Sequence, residues 1–421
     1  MKNRVVITGI GIVSSIGIGK EAFWKNLLEG RSGVSKVTTF DTKDYPTHNG
    51  AEVKNFDPGE YLTGEQIESL GRASQMAGVA AGLAIEDAGL DLNDIAKERA
   101  GVVIGTTMGE IQELERIDDV WIEKGEAFIR PQWGLRYPAN NICNNIAKLL
   151  DLQSSNLMIP CACAAGNYAI GYGFDLLKLN RNDLMLAGGA DAFSRIAYTG
   201  FNRLLSMAPE ICAPFDKNRQ GIILGEGAGI VVLEPLDKAM KRGANIYAEV
   251  AGYGLSCDAY HMTAPQFGGI LSAILSALED AKVDLKDIDY INAHGTGTPA
   301  NDKTECLALK KIFGESLKDI PVSSTKSMIG HTMGAASAIE AITCALAITH
   351  GIVPPTINYE TPDPDCNIDC VPNVCRKHKV SFALNNGFAF GGNNACLVLK
   401  GYKKLKKTKA MTKGIQFLDI V

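Results

Sequence analysis

Arg4-Val5-Val6-Ile7-Thr8-Gly9-Ile10-Gly11 opens the chain, and Ala248-Glu249-Val250-Ala251-Gly252-Tyr253-Gly254 echoes it near the middle. Residues 4–10 read as a buried strand ended by Gly9 and Gly11, followed by a helix over 19–30. Further strand-like runs at 101–105, 184–188, 228–234, 288–293 and 395–400 alternate with helical stretches at 66–88, 268–281 and 336–349. Alternation of this kind predicts an α/β protein whose sheets are mostly buried. The echo at 248 places a division near residue 250, giving a half over 1–250 and a second over 251–401. No low-complexity linker separates them, so the halves are expected to pack closely. Residues 402–421 form a basic tail containing Lys403-Lys404-Leu405-Lys406-Lys407-Thr408-Lys409; a solvated end and a dock for an acidic partner are its two readings.

Composition narrows the function. With 421 residues, 46% hydrophobic and 21% charged, the chain has the balance of a globular protein of enzyme size. The formal net charge of −5 at pH 7 leaves no basic excess to neutralise phosphates, which argues against nucleic acid. The apolar run after Met1-Lys2-Asn3-Arg4 is too short for a signal peptide or a membrane span, so the cytoplasm is the expected compartment, without membrane insertion. Eleven scattered cysteines fit reduced thiols better than a disulfide framework. Cys366, Cys370 and Cys375 match no common zinc spacing, and no metal is expected.

Four segments could carry chemistry. In Pro160-Cys161-Ala162-Cys163-Ala164-Ala165-Gly166-Asn167 a cysteine falls at the start of a helical run over 164–179. A helix N-terminus favours thiolate, and the small neighbours admit a covalent acyl group. The segment alone leaves open which cysteine reacts, or whether both are merely small buried residues. His294-Gly295-Thr296-Gly297-Thr298-Pro299 follows a strand, which puts His294 at a strand's C-terminal end, and its two threonine hydroxyls can hold an extended polar chain. Ser323-Ser324-Thr325-Lys326-Ser327-Met328-Ile329-Gly330-His331 adds a second histidine in a glycine-flanked loop and a lysine able to tune its charge or anchor a carboxylate. Two imidazoles so placed can donate to a developing oxyanion or enolate. Asn386-Gly387-Phe388-Ala389-Phe390-Gly391-Gly392-Asn393-Asn394 can lend a backbone N–H to an oxyanion hole; it lacks the lysine of a phosphate loop.

Together with Pro214-Phe215-Asp216-Lys217, Gly225-Glu226-Gly227-Ala228-Gly229 and Asp258-Ala259-Tyr260-His261-Met262-Thr263, these segments resemble the β-ketoacyl-acyl carrier protein synthases of the thiolase superfamily, in particular their elongating type. The resemblance runs from Val5 to about Leu399. It implies two related α/β halves in a five-layer αβαβα stack, and a homodimer. It implies Cys163, rather than Cys161, as the acyl-accepting nucleophile, with His294, His331 and Lys326 as its catalytic companions and Glu340 as their buried acidic partner. Backbone N–H groups of Cys163 and Phe390 would form the oxyanion hole. Phe390 would gate the acyl pocket, Met108 would help shape it near the dimer interface, and Thr296 and Thr298 would hold the phosphopantetheine arm.

The implied activity is an acyltransferase reaction needing no cofactor. An acyl group on Cys163 condenses with a malonyl group on acyl carrier protein, with loss of carbon dioxide, in fatty-acid elongation. A ketosynthase of a specialised polyketide, polyene or unusual-lipid pathway is the alternative, and a non-catalytic partner subunit of a heterodimeric synthase is the reading from another class. Cys161, Asn167 and the segment from Phe128 to Asn145 depart from the usual pattern and bear on substrate choice.

Overall fold

The computed structural model describes residues 4–402, so the basic tail from residue 403 onward lies outside the described residues. Among the described residues an 11-stranded sheet has ten strands on one hydrogen-bonded path, and the eleventh, Gly17–Ile18, pairs with the first of them in sequence. Its principal strands are β1 (Val5–Ser14), β2 (Ala100–Gly105), β3 (Asn156–Ile159), β4 (Leu184–Asp191), β5 (Gly227–Pro235), β6 (Ala248–Cys257), β7 (Tyr290–Asn292), β8 (Val322–Ser323), β9 (Phe382–Phe388) and β10 (Asn393–Lys400). The order is β8-β7-β9-β10-β6-β1-β5-β4-β2-β3.

The path contains one arrangement twice. In the first half β2 pairs parallel with β3 and β4, and β5 pairs antiparallel with β4 and β1. In the second, β7 pairs parallel with β8 and β9, and β10 pairs antiparallel with β9 and β6. The two runs meet where β1 and β6 pair, Val5 with Val250 and Ile7 with Ala248. The echoed openings are therefore equivalent strands, side by side.

Five helices complete the layers: α1 (Arg72–Asp87), α2 (Ala165–Lys178), α3 (Phe267–Ala281), α4 (Pro299–Phe313) and α5 (Ala336–His350). α1 covers the outer face of β1, β5 and β4, while α3 covers β6 and β10 with α4 beside it. α2 and α5 pack against each other between the two halves, α2 on β2 and β4, α5 on β9, β7 and β5. This is the expected five-layer α/β stack. α5 belongs to the one described stretch long and apolar enough to cross a membrane, Met333–His350, and it is buried in the middle layer.

Two local expectations are corrected. Gly9 and Gly11 do not end the first strand, which continues to Ser14. A Cβ at Gly9 would sit 2.1 Å from the Ala84 carbonyl oxygen of α1, and one at Gly11 would sit 1.8 Å from that of Ala80. The glycines let a helix lie against the strand backbone, which is close packing rather than chain reversal. The helix expected over 66–88 is instead two, Gly64–Ser69 and α1. At Gly71 a Cβ would meet the Glu110 carboxylate at 2.2 Å. That carboxylate caps α1 by accepting from the N–H groups of Ala73 (3.2 Å) and Ser74 (2.7 Å).

Candidate active site

β3 ends in a tight turn, Ala162–Ala164, from which α2 starts, and Cys163 sits on that turn. Ala162 takes φ of 47°, a left-handed value that aims the next side chain inward. α2 meets α5 at Gly166, where a Cβ would lie 2.5 Å from the Ala338 nitrogen. This close crossing brings the loop before α5, with Lys326 and His331, to the cysteine. Asn167 fastens the crossing: its Nδ2 donates to the carbonyls of Ala395 (2.9 Å) and Asn385 (3.2 Å), and its N–H donates to Ser337 Oγ (3.0 Å). Asn167 does not line the cavity at Cys163.

Cys163 is buried, and burial pushes its thiol up to about 11, against the pull of the Lys326 charge and the Phe390 N–H. The resting group is a thiol rather than the thiolate that a helix start by itself would favour. The backbone N–H groups of Phe390 and of Cys163 itself both face the sulfur.

The two histidines lie edge to face, ring centroids 5.6 Å apart with an interplanar angle of 82°. His294 is held from behind by Glu305, whose carboxylate accepts from the N–H groups of His294 and Gly295, both at 2.9 Å, and from Asn386 Nδ2 at 3.0 Å. His331 is held by its own N–H, which donates to the Ile223 carbonyl at 2.6 Å. Its Nδ1 accepts from the Met333 N–H at 3.1 Å, so the ring proton is on Nε2. Lys326 Nζ lies 3.4 Å from His294 Nδ1 and fixes the same tautomer there. Burial pushes both imidazoles well below the usual histidine value, and the Lys326 charge pushes the same way. Two neutral rings with Nε2–H donors result.

Lys326 and Glu340 are both fully buried and paired at 2.5 Å, and Lys326 Nζ also donates to the His294 carbonyl at 2.7 Å. Burial raises Glu340 to about 7, with Lys326 pulling the other way. Neither residue lines the cavity; Lys326 touches His294, and Glu340 touches Lys326.

A cavity of about 280 Å³ opens from Cys163 to the surface. His294, His331, Phe390, Thr296 and Thr298 line it, together with the apolar side chains of Phe201, Leu205, Met262 and Pro265. Thr296 and Thr298 share a hydrogen bond of 2.9 Å, and Thr298 caps α4. Met108 does not reach the cavity; it packs with Phe390 against the hydrophobic cluster around Phe201.

Four groups to which the sequence reading assigned no role hold this arrangement; two of them, Asp258 and His261, lie in a segment that carried the resemblance. Asp191, at the end of β4, accepts from Thr106 Oγ1 (2.8 Å) and from the N–H groups of Thr107 (2.7 Å), Met108 (2.8 Å) and Gly334 (2.6 Å). Its place at a strand's C-terminal end is the signal that could have found it. Glu305 on α4 left no such signal. His261 lines the cavity and accepts at Nδ1 from the N–H groups of Thr263 and Ala264, each at 3.1 Å. Asp258 ties its loop to the Phe390 turn, where its N–H donates to the Gly392 carbonyl at 2.8 Å.

Two family models cover most of the chain: Beta-ketoacyl synthase, N-terminal domain, over residues 2–239, and Beta-ketoacyl synthase, C-terminal domain, over residues 247–360. The chain belongs to the β-ketoacyl synthase family. Among curated members, 3-oxoacyl-[acyl-carrier-protein] synthase 2 of Staphylococcus aureus (strain N315) is 41% identical over 408 residues, covering 95% of this chain and 99% of its own. Nodulation protein E of Rhizobium meliloti (strain 1021) is 41% identical over 401 residues, covering 95% and 100%. Among solved β-ketoacyl synthase structures, the ishigamide ketosynthase/chain length factor superposes with a TM-score of 0.93 at 45% identity, covering 96% of this chain and 100% of that one.

Proposed function

We propose that the chain is a 3-oxoacyl-[acyl-carrier-protein] synthase that elongates acyl groups by decarboxylative condensation, with Cys163 as nucleophile. The observation that carries the proposal is the convergence of one buried thiol, two neutral imidazoles and two backbone N–H donors on a single cavity. The 41% identity to a 3-oxoacyl-[acyl-carrier-protein] synthase 2 over nearly the whole of both chains supports the same activity.

In this reading the Cys163 sulfur attacks an acyl thioester as its proton departs, and the N–H groups of Cys163 and Phe390 hold the oxyanion. The carrier thiol leaves with the proton. A malonyl thioester then binds along Thr296 and Thr298, which hydrogen-bond its pantetheine arm. Its carboxylate departs as carbon dioxide, and the electron pair of the broken bond becomes an enolate held by the Nε2–H groups of His294 and His331. Neutral imidazoles suit this task, because they donate without adding a buried charge before the enolate forms. The enolate carbon attacks the acyl-Cys163 carbonyl, and the thiolate leaves as the 3-ketoacyl carrier forms. The thiolate then takes up a proton from solvent, which restores the resting thiol.

The proposed partners are an acyl carrier protein and a second copy of the chain. One solved ketosynthase relative is described in complex with its acyl-carrier protein, which supports the first. For the second, β3 is the edge of the described sheet and Leu157 on it is exposed, as are Trp121, Ile122, Phe128 and Leu135 elsewhere in the same half of the chain. An exposed apolar sheet edge calls for a partner. The cytoplasm is the proposed compartment.

A specialised pathway is the second reading, favoured by the 45% identity to the ishigamide ketosynthase/chain length factor. Incubation with an acyl carrier and malonyl carrier separates the possibilities. A single 3-ketoacyl product with stoichiometric carbon dioxide supports elongation, and repeated condensation supports the specialised pathway. No condensation at any chain length overturns both and leaves the partner-subunit reading.

A further inference from the structure

Phe201 and Phe390 line the cavity at Cys163 and pack against each other. Phe201 lies between His331, with ring centroids 6.5 Å apart, and Phe390, at 5.7 Å. Beyond Phe201, four more rings pack into one cluster, against which Met108 and Phe390 rest. Phe40 stacks on Phe193 at 5.9 Å, and Tyr198 meets Phe40 at 5.4 Å and Tyr45 at 5.3 Å edge-on. Phe193 and Tyr198 are fully buried. None of these four rings lines the cavity.

Hydrogen bonds anchor the cluster. Thr47 Oγ1 donates to the Tyr198 hydroxyl at 2.9 Å, and the Tyr45 hydroxyl and Thr199 Oγ1 share a hydrogen bond of 2.7 Å. The Phe193 N–H donates to Glu226 Oε2 at 2.9 Å, and its carbonyl accepts from Gln112. The Phe193 ring fills the space above Gly50, where a Cβ would lie 2.6 Å from its Cζ. Glycine at position 50 is what makes room for the ring.

An acyl group on the Cys163 sulfur can extend in two directions. Toward the mouth it occupies the space that the pantetheine arm and the second substrate need. In the other direction it meets Phe390 and Phe201, which line the cavity, and then the filled aromatic cluster they pack against. A close-packed core does not accept added methylenes without displacing side chains.

We infer that Phe193, braced by Tyr198, is a specificity-determining residue that stops the acyl pocket short. The chain therefore loads short acyl groups onto Cys163 and discriminates against long saturated ones. This rests on the acyl-transfer reading above and names the substrate class within it.

The test is a loading series. Carrier protein bearing saturated acyl groups from acetyl to dodecanoyl is offered to the wild type, Phe193→Leu and Phe193→Ala, and the rate of adduct formation on Cys163 is followed by intact-protein mass spectrometry. The readout is the ratio of dodecanoyl to butyryl rate within each protein, so a general loss of activity cancels. The wild type should show a low ratio, and Phe193→Ala should raise it by about tenfold or more, in line with what small changes in an apolar pocket are worth. Phe193→Leu should raise it less, and it carries the test should the alanine variant not fold. Equal loading of dodecanoyl and butyryl groups by the wild type would overturn the inference, as would an unchanged ratio in whichever Phe193 variants fold. Loading from no carrier at all would instead overturn the acyl-transfer reading, and this inference with it.

Discussion

Replacing Lys326 by Met removes a buried charge while keeping most of the side-chain volume, and its consequences can be worked from three contacts. Nζ pairs with Glu340 Oε1 at 2.5 Å, donates to the His294 carbonyl at 2.7 Å, and sits 3.4 Å from His294 Nδ1. Removing one member of a buried ion pair costs about 3–5 kcal/mol when the other keeps its charge. Glu340 has a way out, because burial already raises it to about 7 and Lys326 is what holds it down. Without the lysine it rises further and takes up a proton. Its folded value then lies further above its ordinary value of 4.5, so its contribution to stability, present below that value, is lost over a window that reaches higher pH. The deficit of the variant relative to the wild type therefore grows as pH rises, from small at mildly acidic pH toward the full cost in alkali.

The catalytic consequence is separate. His294 loses the group that fixes its tautomer and one of the causes that depress its pKa, so the acid limb of the pH profile moves up. Loss of one oriented donor to the enolate is worth about 10²–10³ in rate. The assay is carbon dioxide release from malonyl carrier across pH, with urea denaturation at the same pH values. Decarboxylation within a few-fold of the wild type, with an unmoved acid limb, would refute the positioning role.

Further predictions concern the thiol, the anchors and the packing. Because burial raises Cys163 to about 11, its alkylation by iodoacetamide should keep accelerating well above neutral pH; a plateau near neutrality would mean a resting thiolate. Asp191→Asn places an NH₂ against at least one of the three backbone N–H donors, so denaturation should report a loss of about 1–3 kcal/mol for each group left unsatisfied. Gly11→Ala puts a Cβ on the Ala80 carbonyl, which cannot move without shifting α1, and thermal melting should show a loss of about 3 kcal/mol or more. A melt indistinguishable from the wild type would contradict that packing.

The repeated strand-to-glycine openings and the alternation after them made the α/β class legible, because burying a sheet on both faces imposes long apolar runs. The same runs misled over detail. Gly9 and Gly11 read as stops, since a glycine between apolar residues carries the same letter whether it turns the chain or admits a helix backbone. Gly71 broke the helix expected over 66–88 for a reason lying far away in sequence, the Glu110 carboxylate that needs its space. The motif residues around Cys163, His294, Lys326 and His331 were visible because small residues and glycines cluster around them. Asp191 and Glu305 were not, because their work is to hold backbone N–H groups that no local pattern brings together. The protonation state of Cys163 was beyond reach as well: a helix start is local, whereas the enclosure that outweighs it is assembled from both halves.

The central claim is that Cys163 carries the acyl group. Exposing the wild type, Cys163→Ala and Cys161→Ala to an acyl carrier, and then mapping the adduct by mass spectrometry after proteolysis, tests it most directly. The account predicts one acyl group on Cys163 in the wild type and in Cys161→Ala, discharged on addition of malonyl carrier, and none in Cys163→Ala. An adduct that survives in Cys163→Ala and disappears in Cys161→Ala would contradict it.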